Sequence, residues 1–114
     1  MHNQGDVILV PLPFTDLTAQ KKRPVLVLSG DEYNSTSDDL IVVAITSNIE
    51  AKPYVVLLTN NDMINGALTK DSCIRADKIY TISRNIVIKN FGKVKMDIIE
   101  KTKNRLFEAI KHTT

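Results

Sequence analysis

Three places in this sequence combine residue types that can grip and polarise a phosphate. The first is the run Lys21-Lys22-Arg23, set immediately before Pro24. Proline fixes its own φ and biases the preceding residue toward extended backbone. Arg23 is therefore tethered to a rigid neighbour, and a fixed guanidinium can hold a phosphate through two parallel hydrogen bonds. The second is Thr46-Ser47-Asn48, at the end of an apolar run. Side chains there are held by a rigid element yet reach solvent, and their hydroxyls and amide can donate to phosphate oxygens and base edges. The third is Arg75-Ala76-Asp77-Lys78, a polar stretch inside a strand-like segment. Each place also has a plainer reading: a surface arginine at a strand start, turn chemistry at a strand end, polar residues facing water. Local sequence leaves both readings open.

Other chemistries lack their parts. Serine–histidine and cysteine–histidine catalysis need a positioned imidazole. The two histidines, His2 and His112, stand near opposite ends of the chain, where positioning is usually poor. The single cysteine, Cys73, allows neither an intrachain disulfide nor a Cys/His metal site, and reads as a small core residue. The sequence contains no glycine-rich phosphate loop, H-E-x-x-H or dinucleotide fingerprint. No cofactor and no metal are expected.

The 15 Lys and Arg against 13 Asp and Glu give a net charge of +2 and a pI near 8.7, too mild to identify a nucleic-acid binder. The distribution is more uneven. Lys89, Lys93, Lys95, Lys101, Lys103 and Arg105 load the C-terminal quarter, and Asp31, Glu32, Asp38 and Asp39 gather earlier. Solvated loops and a polar helix face account for both groups. No apolar run is long enough to span a membrane, no signal peptide is visible, and a reducing cytoplasm suits the cysteine content.

The elements that must position these residues read as follows. The 114 residues fit one domain, 1–114. Residues 7–12 form a short strand whose far end, with Pro11 and Pro13, lies at an edge or leaves the sheet. Residues 14–23 read as a polar loop. Residues 24–29, 40–46 and 54–58 are continuous apolar runs, the pattern of buried strands, and residues 30–39 connect the first two, with room for a turn of helix. Residues 59–66 read as a loop with Asn65-Gly66 as a turn. Residues 72–82 alternate as a strand, with Ile74, Ala76, Lys78 and Tyr80 on one face. From 97 to 111 the period changes. Ile98, Thr102, Leu106 and Ala109 recur at helical spacing beside Ile99 and Ile110, with Phe107 at the margin, where it packs the core or pairs subunits. The expectation is α+β and mainly β: five or six short strands in a small barrel or strongly curved antiparallel sheet, closed by a C-terminal amphipathic helix.

Five segments in order resemble the MazF/PemK family of toxin endoribonucleases. They are Gly5-Asp6 with the strand after it, Lys22-Arg23-Pro24 with its strand, the strand ending Ile45-Thr46-Ser47, the stretch from Asp71 to Ile79, and Phe91-Gly92-Lys93-Val94 before the helix. The resemblance implies an SH3-like barrel acting as a homodimer. It implies metal-independent cleavage of single-stranded RNA at short sequence motifs, by attack of the 2′-hydroxyl on the neighbouring phosphorus. It also implies a cognate antitoxin protein that occupies the RNA groove. The family's catalytic arginine falls on Arg23 and its catalytic threonine on Thr46. Lys21, Lys22, Arg75 and Lys78 are then expected at phosphates, and Ser47 and Asn48 at phosphates or bases. Phe14 is a candidate for stacking on a base or for the core. Asp16 and Asp77 are candidate bases near the substrate. Some members carry a Glu before the arginine, where this chain has only Asp16, and Ala44 stands where members often have proline. The rival on the same fold is a CcdB-like, non-enzymatic toxin that binds a protein target such as gyrase.

Overall fold

The computed structural model describes residues 2–13, 20–49 and 53–112. Among these, seven strands form one sheet: β1 (Asp6–Pro13), β2 (Gln20–Val27), β3 (Asp39–Thr46), β4 (Val55–Leu58), β5 (Met63–Gly66), β6 (Ser72–Ser83) and β7 (Lys89–Val94), in the order β4-β6-β3-β2-β1-β7-β5. All the pairings are antiparallel. A short helix, α1 (Asp31–Thr36), joins β2 to β3, and α2 (Met96–Ile110) follows β7.

The continuous apolar runs arise because both faces of the central strands are buried. Alternate residues go to opposite sides of a strand. On the first face Val7, Leu26, Val43, Ile45 and Ile74 pack with Ile98 and Ile99 of α2. On the second, Ile8, Val10, Val25, Val27, Leu40 and Val42 make a separate cluster. The expected stripe on α2 holds through its first turns, where Ile98, Ile99 and Thr102 are buried. It lapses at Ala109 and Ile110, which are exposed because the sheet beneath has ended. Pro11 and Pro13 lie where β1 has outrun β7 and pairs with β2 alone, so their missing donors cost no ladder bond.

Several boundaries differ from expectation. β2 begins at Gln20 rather than at Pro24, so the basic run is strand and not loop. Its rungs pair Lys21 with Leu12, Lys22 with Pro11 and Arg23 with Val10, and hydropathy does not report a strand end paired on one side. Residues 59–66 contain a 3-10 turn (Asn60–Asp62) and then β5. β7 was also not apparent, since KNFGKV has no alternation to read. The run 54–58 is an edge strand with Leu57 56% exposed, not a strand buried throughout.

β5 and β7 approach closely at two glycines. Gly66 and Gly92 both have positive φ, and they face each other across the ladder. A Cβ built on Gly92 would lie 2.2 Å from the Asn65 carbonyl oxygen. Gly92→Ala is therefore expected to destabilise the fold by about 2–3 kcal/mol, read as a lower urea midpoint. An unchanged midpoint would show that the β5–β7 rung is dispensable.

Candidate phosphate-binding face

Pairing between β2 and β3 runs through Val27–Val42, Leu26–Val43 and Val25–Ala44. One alternation further along, Arg23 and Thr46 occupy the same end and the same face of these neighbouring strands. It is the second face, which Val25 and Val27 share. Both residues are half-buried, neither sealed nor fully in water. Thr46 is fixed on its other side by its rung with Cys73 of β6. Its Oγ1 accepts the Asn48 amide at 3.1 Å, and a hydroxyl that accepts still carries a hydrogen to donate.

The third polar place joins them through an irregularity. Val43 pairs with Ile79 and the next residue, Ala44, pairs with Arg75, so residues 76, 77 and 78 have no rung on β3. Bulges of this kind bend a strand and re-aim its side chains. An odd number of extra residues also exchanges the faces. Ile74 packs in the first layer and Tyr80 against the second, whereas plain alternation put them together. The bulge is held from the other side by the residue before β4: the Ala76 amide donates to the Tyr54 carbonyl at 3.0 Å. Tyr54 is in the left-handed region, at φ 67°.

Rungs of an antiparallel ladder share a face, so Arg75, opposite Ala44, lies on the side of Thr46 and Arg23. Its guanidinium makes a two-pronged ion pair with Asp77, Nε to Oδ1 and Nη2 to Oδ2, each 3.1 Å. Hydrogen bonding from Arg75 holds the Asp77 carboxyl below its ordinary range, against a smaller opposing effect of burial. The pair thus fixes the Arg75 side chain by two atoms.

The remaining candidates divide. Lys21 shares the Arg23 face, since its partner Leu12 lies in the second cluster. Lys22, opposite Pro11, alternates to the other face, away from Arg23. Ser47 and Asn48 are exposed just beyond Thr46, and Lys78 is exposed in the bulge. Phe14 and Asp16 lie outside the described residues. Cys73 is buried, as a small core residue should be. No three His, Cys, Asp or Glu side chains cluster as metal ligands among the described residues, and no helix there is long and apolar enough to cross a membrane.

A curled antiparallel sheet with a terminal helix, carrying an arginine and a threonine on one face of neighbouring strands, defines a small class of proteins. The family model for PemK-like, MazF-like toxins of type II toxin–antitoxin systems matches residues 3–110, and the chain belongs to that family. Similar solved structures include an endoribonuclease in complex with its cognate antitoxin from Mycobacterial species, 18% identical over 100% of this chain and 99% of that one, with a TM-score of 0.77. Another is the Mycobacterium tuberculosis toxin MazF-mt6, 18% identical, covering 96% and 99% of the two chains at a TM-score of 0.75. A third is MazE-MazF from Deinococcus radiodurans, 18% identical over 98% of each chain at 0.78. At these identities the likeness establishes the fold. No curated protein sequence matches at a significant level.

The lowered Asp77 carboxyl sets a pH dependence. Its contribution is fully present above the unfolded carboxylate value of about 3.9 and is lost as pH falls through the lower folded value. Asp77→Asn is expected to cost no more than about 1 kcal/mol at neutral pH, given a partly exposed pair. Urea unfolding stepped downward from neutrality should show the two proteins converging in acid. A difference that grew with acidity would contradict the ion pair.

Proposed function

We propose that this chain is an endoribonuclease toxin that cleaves single-stranded RNA at short sequence motifs, without a metal. The observation that carries the proposal is the shared face of Arg23 and Thr46, on adjacent strands and open to solvent. The reaction is attack of the RNA 2′-oxygen on its own neighbouring phosphorus. The new bond is P–O2′ and the broken bond is P–O5′, leaving a 2′,3′-cyclic phosphate and a 5′-hydroxyl. The substrate supplies the nucleophile, so the protein has only to position the phosphate, stabilise its charge and move two protons.

Arg23 grips the phosphate's non-bridging oxygens, and the Thr46 hydroxyl donates to one of them. A guanidinium resists deprotonation, so charge stabilisation is its principal role. Of the two candidate bases, Asp77 stands beside Arg75 in the bulge and is ionised at neutral pH. A carboxyl held that low is a weak base, and fixing Arg75 is its larger contribution. Lys21, Lys78, Ser47 and Asn48 ring the face where the flanking phosphates and bases would run. Lys22 is left to general attraction from the far side. Asp16 stays the alternative candidate base, and Phe14 a candidate for stacking on a base or for the core.

The toxin acts in the cytoplasm as a homodimer, and a cognate antitoxin protein masks the RNA face. Phe107 and Ile110, 62% and 69% exposed in the last turns of α2, support pairing between subunits through the helix margin. Exposed apolar groups on one short helix end are costly unless covered.

Arg23→Ala should lower the cleavage rate of a mixed-sequence single-stranded RNA by about 100- to 1,000-fold. Binding of uncleavable 2′-deoxy substrate should weaken only several-fold, because one phosphate contact is lost. A variant that cuts as fast as the unaltered protein would refute the assignment. Cleavage is also expected to continue in EDTA. Loss of activity on chelation would contradict the metal-free reaction, and gyrase inhibition without any RNA cleavage would support the CcdB-like alternative.

A further inference from the structure

A strained residue stands where β4 meets the bulge of β6. Tyr54 has φ 67°, and among the described residues it is the one non-glycine with positive φ. For a bulky side chain that conformation is a true outlier, and it persists only where the surroundings enforce it. Here the helix does so. Tyr54 lines a hollow together with Arg105 and Glu108 of α2. Lys111, whose ammonium Glu108 holds at 2.8 Å and raises in pKa, also senses the Tyr54 side chain.

The strained conformation decides where the ladder stops. Val55 pairs with Arg75, and the pairing runs on regularly to Leu58 with Ser72. One residue earlier, Tyr54 makes half a rung: its carbonyl accepts the Ala76 amide at 3.0 Å. No further rung follows among the described residues. That half-rung is needed, because Ala76 is fully buried and has no rung on β3, and a buried amide without an acceptor is costly. An ordinary extended residue at 54 would send the preceding chain on along β6, beside Asp77 and Lys78. The left-handed turn takes it away instead. Residues 77 and 78 thereby stay out of the ladder on both sides, and Asp77 turns to grip Arg75 through two atoms.

We propose that Tyr54 is a positioning residue for Arg75: by ending the β4–β6 ladder at the bulge, it keeps Asp77 where it fixes the Arg75 guanidinium on the face of Arg23 and Thr46. The consequence for substrate rests on the endoribonuclease reading, in which Arg75 contacts a phosphate, but the positioning itself is read without RNA. Tyr54 touches no reacting atom. It acts through Ala76, Asp77 and Arg75 in turn.

Two substitutions delete the ring alike and differ in backbone. Glycine adopts a left-handed φ without strain, and β-branched valine resists it. In the absence of RNA, exchange of the Arg75 Nε–H followed by NMR should be slow in the unaltered protein and in Tyr54→Gly, and about tenfold faster in Tyr54→Val, where the bond to Asp77 loosens. In cleavage of single-stranded RNA, Tyr54→Val should raise KM about 5- to 10-fold and leave kcat within about twofold, the pattern of a lost binding contact. Arg75→Ala should raise KM by a similar factor, and adding Tyr54→Val to it should change nothing further, since both remove the same contact. Tyr54→Gly should return KM to within about twofold of the unaltered protein. A merely structural role would lower the folded fraction, and so kcat, and leave KM alone. If valine prevents folding, Tyr54→Ala carries the same comparison with glycine at smaller amplitude. Three results would overturn the proposal: Arg75 exchange unmoved by valine or alanine, a fall in kcat alone, or failure of glycine to restore KM, which would give the role to the ring itself. A protein that cuts no RNA would refute the endoribonuclease reading and leave the Arg75 signal to decide the positioning.

Discussion

A sheet whose two outermost strands are joined by four residues cannot lie flat. β4 and β5 stand at opposite ends of the seven-strand order, yet only residues 59–62 separate them. The sheet must roll until its ends meet, and everything else follows from that closure. Rolling gives the central strands two buried faces, which is why their sequences are apolar without alternation. It also leaves α2 to cover the first face, so the helix is a lid on the core rather than an appendage.

The roll alone would not build a site. β6 crosses from one layer to the other at its bulge, and the crossing happens opposite Ala44, two residues before Thr46. The strand thereby serves the helix-covered core with Ile74 and the second cluster with Tyr80. Between these duties it frees three residues from its rungs with β3. Polar side chains can occupy such a place at little cost to the core, since neither layer needs them. Asp77 and Lys78 stand there, and the Asp77 carboxylate fixes Arg75 at the bulge's start. The positive character of the face is thus local and structural. It does not depend on the small net charge of the whole protein.

Much of this was legible in the chain. Arg23 before Pro24 and Thr46 at the close of LIVVAIT both proved to be strand residues on one face, the buried strand segments at 24–29 and 40–46 were plain from apolar runs, and 7–12 was plain as a short strand. What hid was set by pairing rather than by composition. The basic run lies in β2 because a hairpin partner holds it. β5 and β7 are short, polar and rich in glycine, and they exist because closing the roll brings them together. The opposite placement of Lys22 and Arg23 depends on strand residency, which the loop reading obscured. The side switch within residues 72–83 depends on a bulge with no local signature. Leu57 read as core because an edge is a property of the sheet order, not of YVVLL.

Cys73 illustrates how tightly the site is tied to the rest. It sits on β6 between Thr46 of β3 and Leu57 of β4, and its thiol is buried. A maleimide or other alkylating reagent can reach that sulfur only after one of the flanking strands has lifted away. The rate of its labelling is therefore a clock for the opening of the sheet beneath the threonine, supplied by the natural sequence without an added probe.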